Sequence, residues 1–152
     1  MPQRFFEITN TVALVAWILL VALPGRRAVA HVACAVVVPA LLSAAYVVVL
    51  VAKLATGGGG GPAPDLMTLA GLRQVFADDW VFAAAWTHYL AFDMVVGAWI
   101  ARDAVRLGIP WPLRTVALVL TFLAGPAGFL LHVVTRRLLR HTAAAGDAGP
   151  PA

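Results

Sequence analysis

Residues 80–101 read WVFAAAWTHYLAFDMVVGAWIA, and Asp93 is the single charged side chain in the run. A helix needs roughly 20 apolar residues to cross a hydrocarbon core about 30 Å thick, so this stretch is long enough to span a membrane. It also places a carboxyl group where charge costs about 3 kcal/mol on insertion scales. Three further stretches have the same character: Ile8 to Gly25, Ala28 to Ala52 and Thr115 to Thr135 hold no charged side chain. Backbone groups in lipid must be paired internally, which leaves helices or closed barrels. The strict alternation of a barrel strand is missing, so helices are expected.

Composition agrees. Of the 152 residues, 62% are apolar and 12% charged, where a soluble domain runs near half and a quarter. The expected fold is all-α, an integral membrane four-helix bundle with spans near 6–24, 28–52, 80–102 and 113–137. One membrane domain then occupies 1–140, and the Ala-, Gly- and Pro-rich tail 141–152 is expected to be disordered. Arg26 and Arg27, just before Ala28-Val29-Ala30, argue against a cleaved leader peptide. The first helix is therefore expected to be retained.

The second loop opens with Gly57 to Gly61 and Pro62-Ala63-Pro64, a flexible linker by composition. Leu66, Leu69, Leu72, Val75 and Phe76 follow at three- and four-residue spacing, which predicts a short amphipathic helix at the interface before the third span. Asp78 and Asp79 then suit the start of a helix as caps.

The net charge of +4 does not imply nucleic acid, because the basic residues stand at span ends as interface anchors. With four crossings, Arg4, Lys53, Arg73, Arg136, Arg137 and Arg140 share one side and Arg26, Arg27, Arg102, Arg106 and Arg114 the other. Six against five leaves the orientation open. Cys34 stands alone, which rules out an intrachain disulfide or a cysteine metal cluster.

The third span concentrates the groups that can carry chemistry. At 1.5 Å per residue Asp93 lies roughly 20 Å in from the Trp80 end and His88 roughly 12 Å in. Trp86, Tyr89 and Asp93 share a face, while His88 is offset from Asp93 by about 140°, so the two are expected to address different neighbours. Pro39 in the second span and Gly125-Pro126 in the fourth predict kinks that free the carbonyls of Ala35 and Phe122 at similar depth. An Asp, His and Tyr beside such carbonyls would form a polar pocket with apolar walls, suited to acid-base work on a lipophilic substrate. The plainer alternative is interhelical hydrogen bonding that only packs the bundle. A metal or haem site is not expected. His31 and His132 read as lying near opposite faces with His88 between, and His88 with Asp93 supplies too few ligands.

The block Trp86, His88-Tyr89-Leu90-Ala91-Phe92-Asp93, Gly97 and Trp99-Ile100 resembles the plant ABA-deficient-four-like family of membrane proteins. Asp103, Gly108-Ile109, Gly125-Pro126, Gly128 and Leu130-Leu131 continue the likeness, as do Asn10, Ala13-Leu14, Trp17, Leu19-Leu20 and Pro24 in the first helix. The resemblance implies a four-helix membrane domain whose plant members take part in forming neoxanthin from violaxanthin. That conversion opens an epoxide and removes a proton to leave an allene, an isomerisation that demands no redox cofactor. It implies Asp93, His88 and Tyr89 as acid-base groups, with Trp86, Asn10, Phe92 and Gly97 against a carotenoid or isoprenoid-like substrate. The alternative is a non-catalytic scaffold or partner of a lipid-modifying membrane enzyme. Arginine in place of lysine, with abundant Ala and Val, goes with GC-rich bacterial genomes and hence with a bacterial cytoplasmic membrane.

Overall fold

A computed structural model of the chain describes residues 1–56 and 64–147, with side chains through Leu139. The Gly57–Gly61 linker lies outside the described residues. Helix α1 runs Pro2–Ala22, and a π-helical segment Ala28–Val37 leads into α2, Val38–Ala55. A short helix α3, Leu69–Phe76, precedes the long α4, Asp79–Arg106, and the last element is α5, Trp111–Asp147. There is no strand among the described residues. Four helical runs are long and apolar enough to cross a membrane: Pro2–Ala22, Ala28–Ala55, Asp79–Arg106 and Trp111–Leu139. The chain is an all-α membrane bundle.

Helix α4 is its centre and packs against every other element. Its buried positions are mostly small, among them Ala83, Ala84, Ala91, Gly97, Ala98, Ala101 and Ala104. Without a hydrophobic force between helices in lipid, such residues are what let backbones approach closely. Helix α1 runs alongside α4 in the same direction. Phe5 lies 5.9 Å from Trp80, and the Trp17 ring fills the notch at Gly97. The Ala28–Ala55 run is antiparallel to α4. Arg102 Nη1 donates to the Ala30 carbonyl at 3.1 Å, Tyr46 lies 5.4 Å from His88, and Lys53 pairs with Asp78 at 2.5 Å. Leu20, Cys34, Met94, Ile100 and Leu118 form the fully buried core.

Pro39 produces a change of helix type where a mid-span kink was expected. The ten residues before Val38 form π turns, and the Val38 N–H reaches back to the Ala33 carbonyl. The α-helix begins afresh at Val38, so Pro39 falls in its first turn, where a missing N–H removes no helical bond. The cap expected at Asp78 forms, and Thr68 supplies another. Thr68 Oγ1 accepts from Gly71 N–H at 3.1 Å to start α3. Asp78 Oδ1 accepts from the N–H groups of Trp80 and Val81 at 3.0 and 3.1 Å to start α4.

Helix α5 departs most from the expected course. Ala124 leaves helical geometry at φ −156°, ψ 70°, and the chain reverses there. A Cβ on Gly128 would overlap the Thr121 hydroxyl and the Ala117 carbonyl, although Ala117 and Gly128 would be about 16 Å apart along a straight helix. The order of contacts with α4 tells the same story. Gly125 faces Asp93, Phe129 lies 5.7 Å from Trp99, and His132 bonds Asp103 at 3.0 Å. The second arm therefore runs with α4, back towards the end where α5 began. The single pass expected over 113–137 is a hairpin. Proline and glycine at 125–126 break the ladder, and Gly128 lets the two arms touch. Beyond it the backbone stays helical through Asp147, where composition predicts loose chain from residue 141.

Candidate functional site

The expected site residues of α4 divide into three surroundings. His88 faces outward between α4 and α2, with Phe92 at 4.7 Å and Tyr46 at 5.4 Å. It lines a furrow of about 230 Å³ whose walls include Tyr46, Val49, Val81 and Ala84, closed at one end by Phe76 of α3 and Lys53. That volume is below the ~300–1,000 Å³ of pockets for drug-sized ligands, so it has room for only a small group.

Tyr89 and Trp86 stack at 5.9 Å with an interplanar angle of 17°, both partly exposed. Trp86 Nε1 donates to Asn10 Oδ1 at 3.1 Å, and Asn10 Nδ2 donates to the Phe6 carbonyl at 2.7 Å. This joins two expected substrate-binding residues, Trp86 and Asn10, in one aromatic cluster between α1 and α4. Trp86 and Tyr89 also line a shallow second furrow with Phe82, and Phe76 and Ala85 border both furrows. His88 and Tyr89 therefore stand on either side of Phe76. The remaining two expected binding residues part company: Phe92 is 60% exposed, whereas Gly97 is filled by Trp17 and leaves no room for a ligand.

Asp93 turns the other way. It is half-buried, and its carboxylate sits in the notch over Gly125, where a Cβ would overlap it. Among the described residues it takes no hydrogen-bond or ion-pair partner. Asp93 therefore points into the bundle at the tip of the α5 hairpin, and His88 and Asp93 address different neighbours, as the helical offset requires.

A polar cluster at the end of α4 was not anticipated. The Asp103 side chain is 4% exposed and receives Arg106 Nη2 at 2.6 Å, with His132 Nε2 at 3.0 Å and Arg136 Nη1 at 3.3 Å. Trp99 meets His132 edge-on at 5.0 Å, and the Arg136 guanidinium lies 5.9 Å over its ring. The signal that could have found it was His132 itself, an imidazole with no evident partner in an apolar run. His31 lines a shallow pocket with Trp99, Arg102, Asp103 and Arg106 at this same end. His31 and His132 thus share one end of the bundle and are not at opposite faces, because α5 reverses between them. Among the described residues no three His, Cys, Asp or Glu side chains converge as metal ligands.

The family model described as ABA DEFICIENT 4-like matches residues 4–132. The chain belongs to this family. The ABA DEFICIENT 4-like match runs from the first turns of α1 to the His132 of the buried cluster, and so takes in both furrows and the turn of the hairpin. No curated protein and no solved structure matches the chain.

Proposed function

We propose that this integral membrane protein acts on the end group of a carotenoid- or isoprenoid-like lipid, as a cofactor-independent isomerase or an accessory factor of that reaction. The observation that supports this most is His88, a proton-transfer group in an apolar furrow open to the side of the bundle, with the Tyr89 hydroxyl across Phe76. A lipid end group entering from the bilayer would meet His88 in the furrow and would reach Tyr89 only past Phe76. Isomerisation of an epoxide to an allenic alcohol needs one proton delivered to oxygen and one removed from carbon. An imidazole and a phenol can divide those tasks without net change. Asp93 would act from the side of the hairpin tip.

A second reading draws on one observation. Asp93, His88 and Tyr89 face three surroundings and share no cavity, which suits a non-catalytic partner of a lipid-modifying membrane enzyme. Lipid extracts of a deletion strain carrying variants of the gene distinguish the two. For the isomerase, His88→Gln and Tyr89→Phe accumulate as the parent does yet fail to restore the lipid profile. Full restoration by both variants rejects catalysis at the furrow and leaves the partner reading.

A further inference from the structure

The reversal of α5 changes which charges share an end of the molecule. Trp111 to Leu123 measures roughly 20 Å as a helix, too short to cross a core about 30 Å thick. Its tip meets Asp93 near the middle of α4, and the returning arm brings Arg136 to Asp103. The positions of Arg136, Arg137 and Arg140 therefore fall at the end that already holds Arg26, Arg27, Arg102, Arg106 and Arg114. The opposite end keeps only Arg4, Lys53 and Arg73, and Lys53 is held by Asp78. An even division of charge becomes eight of the eleven basic residues at one end.

We infer that the chain crosses the membrane three times, that α5 is a re-entrant hairpin entering and leaving by one face, and that its arginine belt lies on the cytoplasmic face against an anionic leaflet. Three observations meet in this. Non-helical backbone and a chain reversal at membrane depth are tolerated only where protein covers them, and Gly125 at the turn is buried against Asp93 of α4. Basic residues near span ends set orientation when they are unequally divided, and here they are. The belt also has the make-up of a headgroup surface: His31, Trp99, Arg102 and Arg106 line an open pocket at that end, and clustered arginines beside a membrane helix recognise anionic lipid headgroups. Asp103 offsets only one of these eight charges, through Arg106 and Arg136, and the belt stays strongly positive.

Three single-cysteine variants of the full chain test this in intact bacterial cells with a membrane-impermeant maleimide. The native Cys34 is fully buried and stays in place. Gly25→Cys is chosen because nothing lies within 4 Å of its Cβ position, and Met67→Cys because Met67 is 93% exposed. Pro150→Cys reports the C-terminal end. Met67→Cys is expected to label in intact cells, while Gly25→Cys and Pro150→Cys stay unlabelled until the membrane is opened. Labelling of Met67→Cys and Pro150→Cys from the same side would restore a fourth crossing and overturn the hairpin. Labelling of Gly25→Cys and Pro150→Cys from outside, with Met67→Cys protected, would overturn the orientation and the anionic-leaflet assignment.

Discussion

Two aspartates stand ten positions apart on α4, and the bundle treats them in opposite ways. Asp103 is enclosed by Arg106, His132 and Arg136 from two elements, so its charge is compensated at every oxygen. Asp93 sits over Gly125 with no hydrogen-bond or ion-pair partner among the described residues. The same side chain thus serves as a rivet at the end of the helix and as an uncommitted group at its middle. A paired and an unpaired carboxyl group are separated along one helix. The fully paired carboxylate holds the hairpin to the bundle, and the unpaired one stays available.

The largest effect expected is loss of the rivet. Asp103→Ala leaves Arg136 and the buried His132 facing Arg106 without a counter-charge. Breaking a buried pair costs about 3–5 kcal/mol, and the low end applies because Arg106 is largely exposed and can turn to water. Thermal unfolding in detergent measures it, and an unchanged midpoint would show that the cluster holds nothing together. Gly128→Leu comes next. The added side chain must push the hairpin arms apart at Thr121 and Ala117, at a cost of about 1–3 kcal/mol. A variant as stable as its parent would mean that the arms do not touch in the membrane.

Asp93→Asn should do little to stability, less than about 1 kcal/mol, because no ion pair is broken and the volume is kept. If the uncommitted carboxylate takes part in chemistry, this variant accumulates normally yet fails to restore the lipid profile of a deletion strain. Restoration would make Asp93 a spacer at the hairpin tip.

The smallest effect belongs to the ion pair at the other end of α4. A hydrogen bond from Lys53, together with the Val81 and Trp80 N–H groups, holds the Asp78 carboxyl below its ordinary range. Its stabilisation is therefore complete above the usual carboxylate pKa of about 4 and is lost as pH falls through the lowered value. With Lys53 and Asp78 side chains 34% and 41% exposed, the pair contributes under about 1 kcal/mol. Lys53→Ala should flatten that acid limb of stability, whereas Asp103→Ala should lower the whole curve.

Three of the long helices were legible because each holds a mostly apolar run whose length matches the bilayer, with Asp93 the one charge inside those runs. The cap at Asp78 was legible too, since a short polar side chain before a helix has few other uses. Hydropathy counts apolar residues and carries no direction, so 113–137 read as a crossing when it turns round at Ala124. Gly125-Pro126 signalled a break without giving its angle, which depends on Gly128 meeting Ala117 and Thr121. The buried Asp103–His132 cluster was hidden for the same reason, because a straight fourth helix places His132 at the wrong end. One clue lay in plain view: the even split of Arg and Lys is what a misplaced half-helix would produce. Among the site residues, the differing directions of His88 and Asp93 followed from helical geometry alone. The Trp86–Asn10 bond and the filling of Gly97 by Trp17 depended on the rotation of α1 against α4, which no single-helix pattern encodes.

The hairpin also gives the molecule unequal footprints. Where α5 doubles back, five helical segments stand side by side: α1, the π-helical segment before α2, α4 and the two arms. At the other end, among the described residues, α1, α2 and α4 continue, with the short α3 packed against α4. The protein is a wedge, broad at its arginine-rich end and narrow at the other, and such a shape stores a preference for membranes that bend away from the broad end. In vesicles of graded diameter, the chain should partition towards the curvature that gives its wider end the larger share of area.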